Sequence, residues 1–428
     1  MSFHTLRPHL TVRSRTAAWL LALAATVGAP AHAAPATLAL DEAVRIALAQ
    51  APALDARRAQ VAAAREDHAR AGALPDPMLM VGIDNLPVTG AEAFDLAAEP
   101  MTMKRIGVSQ EVPARAERRA RQALASRAVD EARAAATAER LVVQREAAQA
   151  WIELWTAERA VAALEALREQ ANVARDLARA RVAGGEGSVG IALAVEAEVV
   201  AVEQRLEAAR AERAAAQAGL ARWVDVPGAT AHPSPPGFTT LPTEPPALFA
   251  ALERAGPLLA IDARSDTAEA AIELALAERR PDWRIAAAYG QRDGGRSDML
   301  MVEFGIGLPL FRANRQDRDV AARRADHARA LADREDARRA LETEVRAAIA
   351  RWQGLARQVD RDEHELLPLQ RDRSAVALAA FRAGAPADAW LDARRDEIDA
   401  VLAHVRRQGE LGRLWASLAY LVPAEERQ

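Results

Sequence analysis

The sequence predicts a mostly α chain with a small β part, in which long antiparallel coiled-coil hairpins carry four short strands. Three observations predict it. Residues 114–182 read as one helix of 69 residues, roughly 100 Å at 1.5 Å per residue, far longer than a globular helix. Segments of alternating apolar and polar residues, bounded by proline, read as strands. The order of elements in the first half then recurs in the second.

The chain opens on a basic stretch with Arg7, Arg13 and Arg15, then an apolar run over 17–27, then Ala31-His32-Ala33. That layout predicts a secretory signal peptide over 1–33. Beyond it no run reaches the ~20 apolar residues of a membrane helix.

The first repeat covers 34–224. An amphipathic helix is expected over 41–72, followed by Pro75-Asp76-Pro77 and a strand over 78–85. A loop leads to a second strand over 101–112, which Pro113 stops. The long helix follows. Its apolar face is mostly alanine, with Leu154, Val161 and Leu164 among the larger residues. It breaks at Gly184-Gly185-Glu186-Gly187-Ser188, and a second helix returns to about Trp223. Val199, Leu206 and Leu220 keep sevenfold spacing, which suits coiled-coil packing, and alanine lets helix axes approach closely. Seven prolines between Pro227 and Pro246 make 225–246 a linker, because proline blocks both helix and central strand.

The second repeat covers 247–420, with a short tail at 421–428. A helix is expected over 247–280, and Pro281-Asp282 matches Pro75-Asp76. Strands over 283–291 and 299–308 flank a Gly-rich turn, and Pro309 matches Pro113. A helix over 312–381 breaks at Gly384-Ala385-Pro386 and resumes to about Leu418.

Function is bounded first by what is missing. The 428 residues carry a net charge of only -4, which gives no reason to expect nucleic acid as a partner. The chain has no cysteine, excluding disulfides, thiolate ligands and an amino-terminal lipid on cysteine. His68, His232, His327, His364 and His404 are scattered without metal-site spacing. No GxSxG elbow or phosphate-binding loop occurs. Neither a cofactor nor a catalytic centre is expected.

The strands are more informative. Leu79, Val81 and Ile83 share one face, as do Ile106, Val108 and Val112. Trp283, Ile285 and Tyr289 behave likewise, as do Leu300, Val302, Phe304, Ile306 and Leu308. The opposite phases carry Asp84, Arg105, Ser109, Glu111, Arg284, Glu303 and glycines. Tilted segments of about ten residues with one oily and one wet face suit an outer-membrane barrel. Lys104 and Gln110 fall on the oily phase and must lie near an interface. Four strands cannot close a barrel, and lipid does not tolerate open edges, so several chains must contribute.

The signal peptide, the duplicated halves, a strand pair after each first helix, the hairpin helices and the proline-rich centre together resemble the TolC family of outer-membrane factors. The resemblance covers the whole chain after the signal peptide. It implies a homotrimer with a shared twelve-strand barrel in outer-membrane lipid and a helical tunnel in the periplasm. It also implies a periplasmic adaptor and an inner-membrane pump, of the RND type, as partners. The turns containing Gly184, Gly185, Gly187 and Ser188, and Phe381, Gly384 and Pro386, match the tunnel tips that meet the adaptor. Gly384, Leu391, Asp392 and Ala393 match an element whose acid can face the constriction, which makes Asp392 and Asp388 gate candidates. The first repeat has Leu193-Ala194-Val195 there, without the acid. The stretch from Asp84-Asn85-Leu86-Pro87 to Met101-Thr102-Met103 resembles the heavy-metal, CusC-like and CzcC-like branch. Drug efflux or polypeptide secretion by the same fold, and a periplasmic coiled coil without a channel, remain the alternatives.

All six methionines after the first residue fall on three predicted strands, as Met78/Met80, Met101/Met103 and Met299/Met301. The i, i+2 spacing puts both members of each pair on one face, and that face is the polar phase. Thioethers are soft ligands suited to Cu(I) and Ag(I), so the pairs are candidate stations for metal in a duct.

Overall fold

The computed structural model describes residues 37–226 and 228–423. The expected signal peptide, and the tail beyond 423, lie outside them. The described chain is mostly helical, with one small antiparallel sheet.

A two-residue strand β1 (Thr37–Leu38) leads into α1 (Leu40–Gln50) and α2 (Pro52–Ala71). The single helix expected over 41–72 is thus two. Ala51 is extended, and Pro52 opens α2 at a position where its missing amide leaves no bond unmade. After β2 (Met78–Asp84) and β3 (Met103–Val112), α3 runs 69 residues as Arg115–Ala183. It turns back into α4 (Val189–Ala221). A second two-residue strand, β4 (Thr230–Ala231), pairs parallel with β1.

The second repeat departs further from its expected helices. In place of one helix over 247–280 the chain forms α5 (Pro245–Ala250), a 3-10 turn at Leu252–Arg254, and α6 (Gly256–Ala277). Pro257 opens α6 in its first turn, as Pro52 opens α2. The sheet gains β5 (Trp283–Gln291) and β6 (Met299–Ile306). The helix expected over 312–381 is a 3-10 turn at Arg312–Asn314, then α7 (Gln316–Arg361), a π turn at Asp362–Leu366, and α8 (Leu367–Arg382). Pro368 is the reason for the π turn: it offers no amide to the preceding turn, and the wider loop absorbs the mismatch. The last helix is α9 (Asp388–Ala419).

Helix α3 is the spine. It packs on α1, α2, α4, α6 and α9, while α7 and α8 pack on α9. The largest core sits midway along it and draws on both repeats: Trp151, Ile152 and Trp155 from α3, Val345 and Trp352 from α7, and Leu411 and Trp415 from α9.

The proline-rich segment is not a bare spacer. Its Ala229, Ala231 and Phe238 are buried in that same core. Its carbonyls accept indole N–H bonds from helices of both repeats. Trp155 donates to Pro233 O (3.2 Å), Trp352 to Phe238 O (2.8 Å) and Trp415 to Thr240 O (2.7 Å). Trp151 donates to Leu38 O (2.8 Å), just before α1. Apart from β4 at Thr230–Ala231, proline keeps the strap irregular up to α5, and the tryptophans satisfy carbonyls this leaves free. Trp352→Phe keeps most of the ring and removes one donor. It is expected to destabilise the fold by about 1–3 kcal/mol, because the Phe238 carbonyl stays buried without its partner. Thermal unfolding followed by circular dichroism measures this, and an unchanged midpoint would deny the strap its anchoring role.

Candidate functional site

The sheet runs in the order β2-β3-β5-β6, all antiparallel. Its register aligns the oily phases of all four strands. Leu79, Val108, Ala287 and Val302 form one cross-strand row, and Val81, Ile106, Tyr289 and Leu300 the next. Nearer the helices lie Gln110, Ile285 and Phe304, then Val112, Trp283 and Ile306. These side chains stand out from the chain: Val81 and Leu300 are each 75% exposed and Phe304 71%. Lys104 and Gln110, the two misfits of the oily phase, sit toward opposite ends of the sheet. Lys104 Nζ is 3.0 Å from Asp293, and Gln110 donates to Pro75 O at 2.7 Å.

The other face carries small and charged residues. Its rows read Met78, Ser109, Ala286, Glu303; then Met80, Gly107, Ala288, Met301; then Gly82, Arg105, Gly290, Met299. A Cβ on Gly107 would lie 2.6 Å from Ala288 Cβ, so only glycine lets β3 and β5 approach here. Arg105 pairs with Asp84 (3.2 Å) and Arg284 with Glu111 (3.4 Å).

The methionines are not three equivalent strand pairs. Met101 lies before β3, exposed, and its carbonyl accepts a bond from Asn85 Nδ2 at 3.2 Å. Asn85 ends β2 in the left-handed region, at φ 55°, which short polar side chains tolerate. Thr102 bonds its carbonyl at 2.8 Å, and this clasp delays the strand to Met103. Met78, Met80, Met103, Met299 and Met301 do share the polar face.

At the far end of the helices two turns lie side by side. Gly185 adopts φ +78° and Gly384 φ +106°. A Cβ on Gly187 would come within 2.8 Å of Val182 N. Arg181 joins the turns. Its Nη1 donates to Phe381 O at 3.0 Å, and its guanidinium lies 5.6 Å from the Phe381 ring centroid. Phe381 stacks on Trp390 at 6.0 Å. Gly187, Ser188, Phe381, Gly384 and Pro386 therefore line one small cleft, while Gly184 and Gly185 form the turn beside it. Val189 and Leu193 expose apolar side chains just above (63% and 66%). Asp388 and Asp392 occupy one exposed face of α9, with Asp392 3.8 Å from Arg395.

Sequence reasoning also missed a buried charge cluster behind the tip. Arg394 is 1% exposed and its Nη1 donates to Glu397 (2.9 Å) and Gln170 (2.7 Å), while Nη2 donates to Leu167 O. Burial pushes its guanidinium below the usual arginine range, against the pull of Glu397. Next to it Arg395 donates to the buried Glu198 of α4 at 3.0 Å. At the π turn, His404 faces Asp362 and Glu363, and burial lowers its pKa.

Among the described residues no helix is long and apolar enough to cross a membrane, and no three His, Cys, Asp or Glu side chains gather as a metal site. No protein-family model matches the chain. No curated protein matches it either. Solved structures do. The outer membrane protein VceC of Vibrio cholerae superposes with a TM-score of 0.74 at 19% identity, covering 90% of this chain and 97% of that one. The Campylobacter jejuni CmeC outer membrane channel gives 0.73 at 12% identity, over 98% and 96%. The open state of the Neisseria gonorrhoeae MtrE outer membrane channel gives 0.73 at 17%, over 89% and 88%. Across nearly its whole described length, this chain has the fold of bacterial outer-membrane channels.

Proposed function

We propose that the chain is the outer-membrane exit duct of a tripartite efflux system, a passive channel that catalyses no reaction. The observation that carries this is the sheet: four aligned strands with a continuous oily face, a small and charged inner face, and two free edges on β2 and β6. Such edges are not tolerated in lipid. Three copies joined edge to edge make a closed barrel of twelve strands, each crossing the membrane tilted. The helices then form the periplasmic tunnel, reached after export on the amino-terminal signal peptide. Recovery of heat-labile trimers in the outer-membrane fraction tests this reading, and a soluble monomer from the periplasm overturns it.

The paired turns at the far end are the docking tip for a periplasmic adaptor, which links the duct to an RND-type inner-membrane pump. Asp388 and Asp392, on one exposed face just inside, are the acids of the constriction. Heavy-metal cations such as Cu(I) and Ag(I) are the cargo favoured by the methionine-lined inner face. Gly384→Leu is expected to abolish export while leaving trimers in the membrane, because φ +106° strains any side chain there. Cross-linking to the adaptor should fall with it. Retained export and unchanged cross-linking would reject the tip.

A further inference from the structure

We propose that Met103, Met299 and Met301 form one three-thioether site for a soft monovalent cation, Cu(I) or Ag(I), on the inner face of the sheet. The inference rests on reading that face as the wall of a duct. It deepens that reading by replacing a diffuse lining with a single built site.

The first observation is segregation. On the inner face the only apolar side chains larger than alanine are Met78, Met80, Met103, Met299 and Met301. The outer face, where burial in lipid is the only demand, uses Leu, Ile, Val, Phe, Trp and Tyr and no methionine. Methionine used as filler has no reason to avoid one face. What separates it from leucine is sulfur.

The second observation is convergence. Gly290 lies on β5 between Arg105 of β3 and Met299 of β6. A Cβ placed on it would fall 2.7 Å from Met103 Sδ and 3.4 Å from the Met301 methyl. The bare backbone of Gly290 is the seat into which Met103 settles, and Met301 reaches the same spot from the other side. Met103 is 6% exposed, whereas Met299 at 37% stays open to solvent as the entry ligand. Met80 shares a row with Met301, but Gly107 and Ala288 stand between them, and Met78 is a row further off. Met103 and Met301 meet over Gly290, Met299 is the residue that pairs with Gly290 across the ladder, and Met78 and Met80 lie apart.

The third observation is charge. The two arginines of this face are each held by an acid, Arg105 by Asp84 and Arg284 by Glu111, and Glu303 stands two residues from Met301. Both arginines on this face are thus paired with a carboxylate. Thioethers are neutral and carry no proton to lose, so binding needs no deprotonation, unlike imidazole or thiolate. Hard and borderline cations gain little from three sulfurs. Neutral ligands also hold a monovalent ion loosely enough to release it, which conduction requires.

The test is calorimetric titration of the purified, assembled protein with silver nitrate in chloride-free buffer, with Zn(II) as control. One Ag(I) per chain and no saturable Zn(II) binding are expected. Met103→Leu with Met301→Leu keeps volume and should abolish the site, whereas Met78→Leu with Met80→Leu should leave it intact. Gly290→Ala keeps every sulfur but fills the seat, and should weaken silver binding about 10-fold or more. Equal silver binding by wild type and the Met103/Met301 double variant overturns the proposal. Trimers of wild type in the outer membrane that ignore silver remove the site and spare the duct. Absence of trimers there removes the duct itself.

Discussion

Replacing Arg394 with methionine is expected to destabilise the chain by about 3–5 kcal/mol, because it leaves a buried carboxylate without its cation. Arg394 and Glu397 are one turn apart on α9, and their side chains are 1% and 8% exposed. Arg394 also reaches across to Leu167 and Gln170 of α3, so the cluster fixes one helical hairpin against the other. Methionine cannot serve Glu397 or the Leu167 carbonyl. The pair as a whole is a different matter. Two apolar residues of similar volume often replace a buried ion pair without loss, so Arg394→Met with Glu397→Met should recover much of the stability. Thermal unfolding of the detergent-solubilised protein compares the three chains. A single variant within about 1 kcal/mol of wild type would show that the cluster is solvated and the hairpins are held by packing alone.

The second large effect belongs to the sheet. Val302 lies in the row that crosses all four strands through Leu79, Val108 and Ala287. Val302→Arg is expected to cost about 2–4 kcal/mol at the membrane midplane, and the penalty falls to about 0–1 kcal/mol toward the interface. Arginine at Phe304 should therefore hurt less than at Val302, and at Ile306 less again. The yield of outer-membrane trimers reads this gradient. Equal yields at all three positions would mean that the oily face does not meet lipid.

Local signals made much of this fold legible. Pro113 marks the end of β3, whereas β6 stops at Ile306, two residues short of the end expected from Pro309. Glycines mark the hairpin at Gly184, and the 69-residue helix is displaced by a single residue from its expected range. Strand phases survived because side chains alternate whatever the partner strand is. Much of what escaped the reading depends on contacts distant in sequence. Nothing near Arg394 distinguishes it from the exposed Arg395; only the docking of α3 buries one and not the other. The π turn before Pro368 had a local cause, as did the break at Pro52, yet both were read through as continuous helix. Asn85 delays β3 through a bond across the loop to Met101. The gathering of Met103 and Met301 over Gly290 needs the register of three strands, which no single strand contains.

The strap through the middle of the molecule changes what the duplication means. Two repeats in one sequence invite the picture of two modules that once stood alone and remain separable. The indole bonds deny it. Trp155 belongs to the first repeat and Trp352 and Trp415 to the second, yet all three find their acceptors on the segment between them. Phe238 fills the space between Trp155 and Trp415, one from each repeat, with ring centroids 5.8 and 5.6 Å away. Cutting the chain there would leave each half with part of a core and donors without acceptors. For folding, the two halves are therefore one unit.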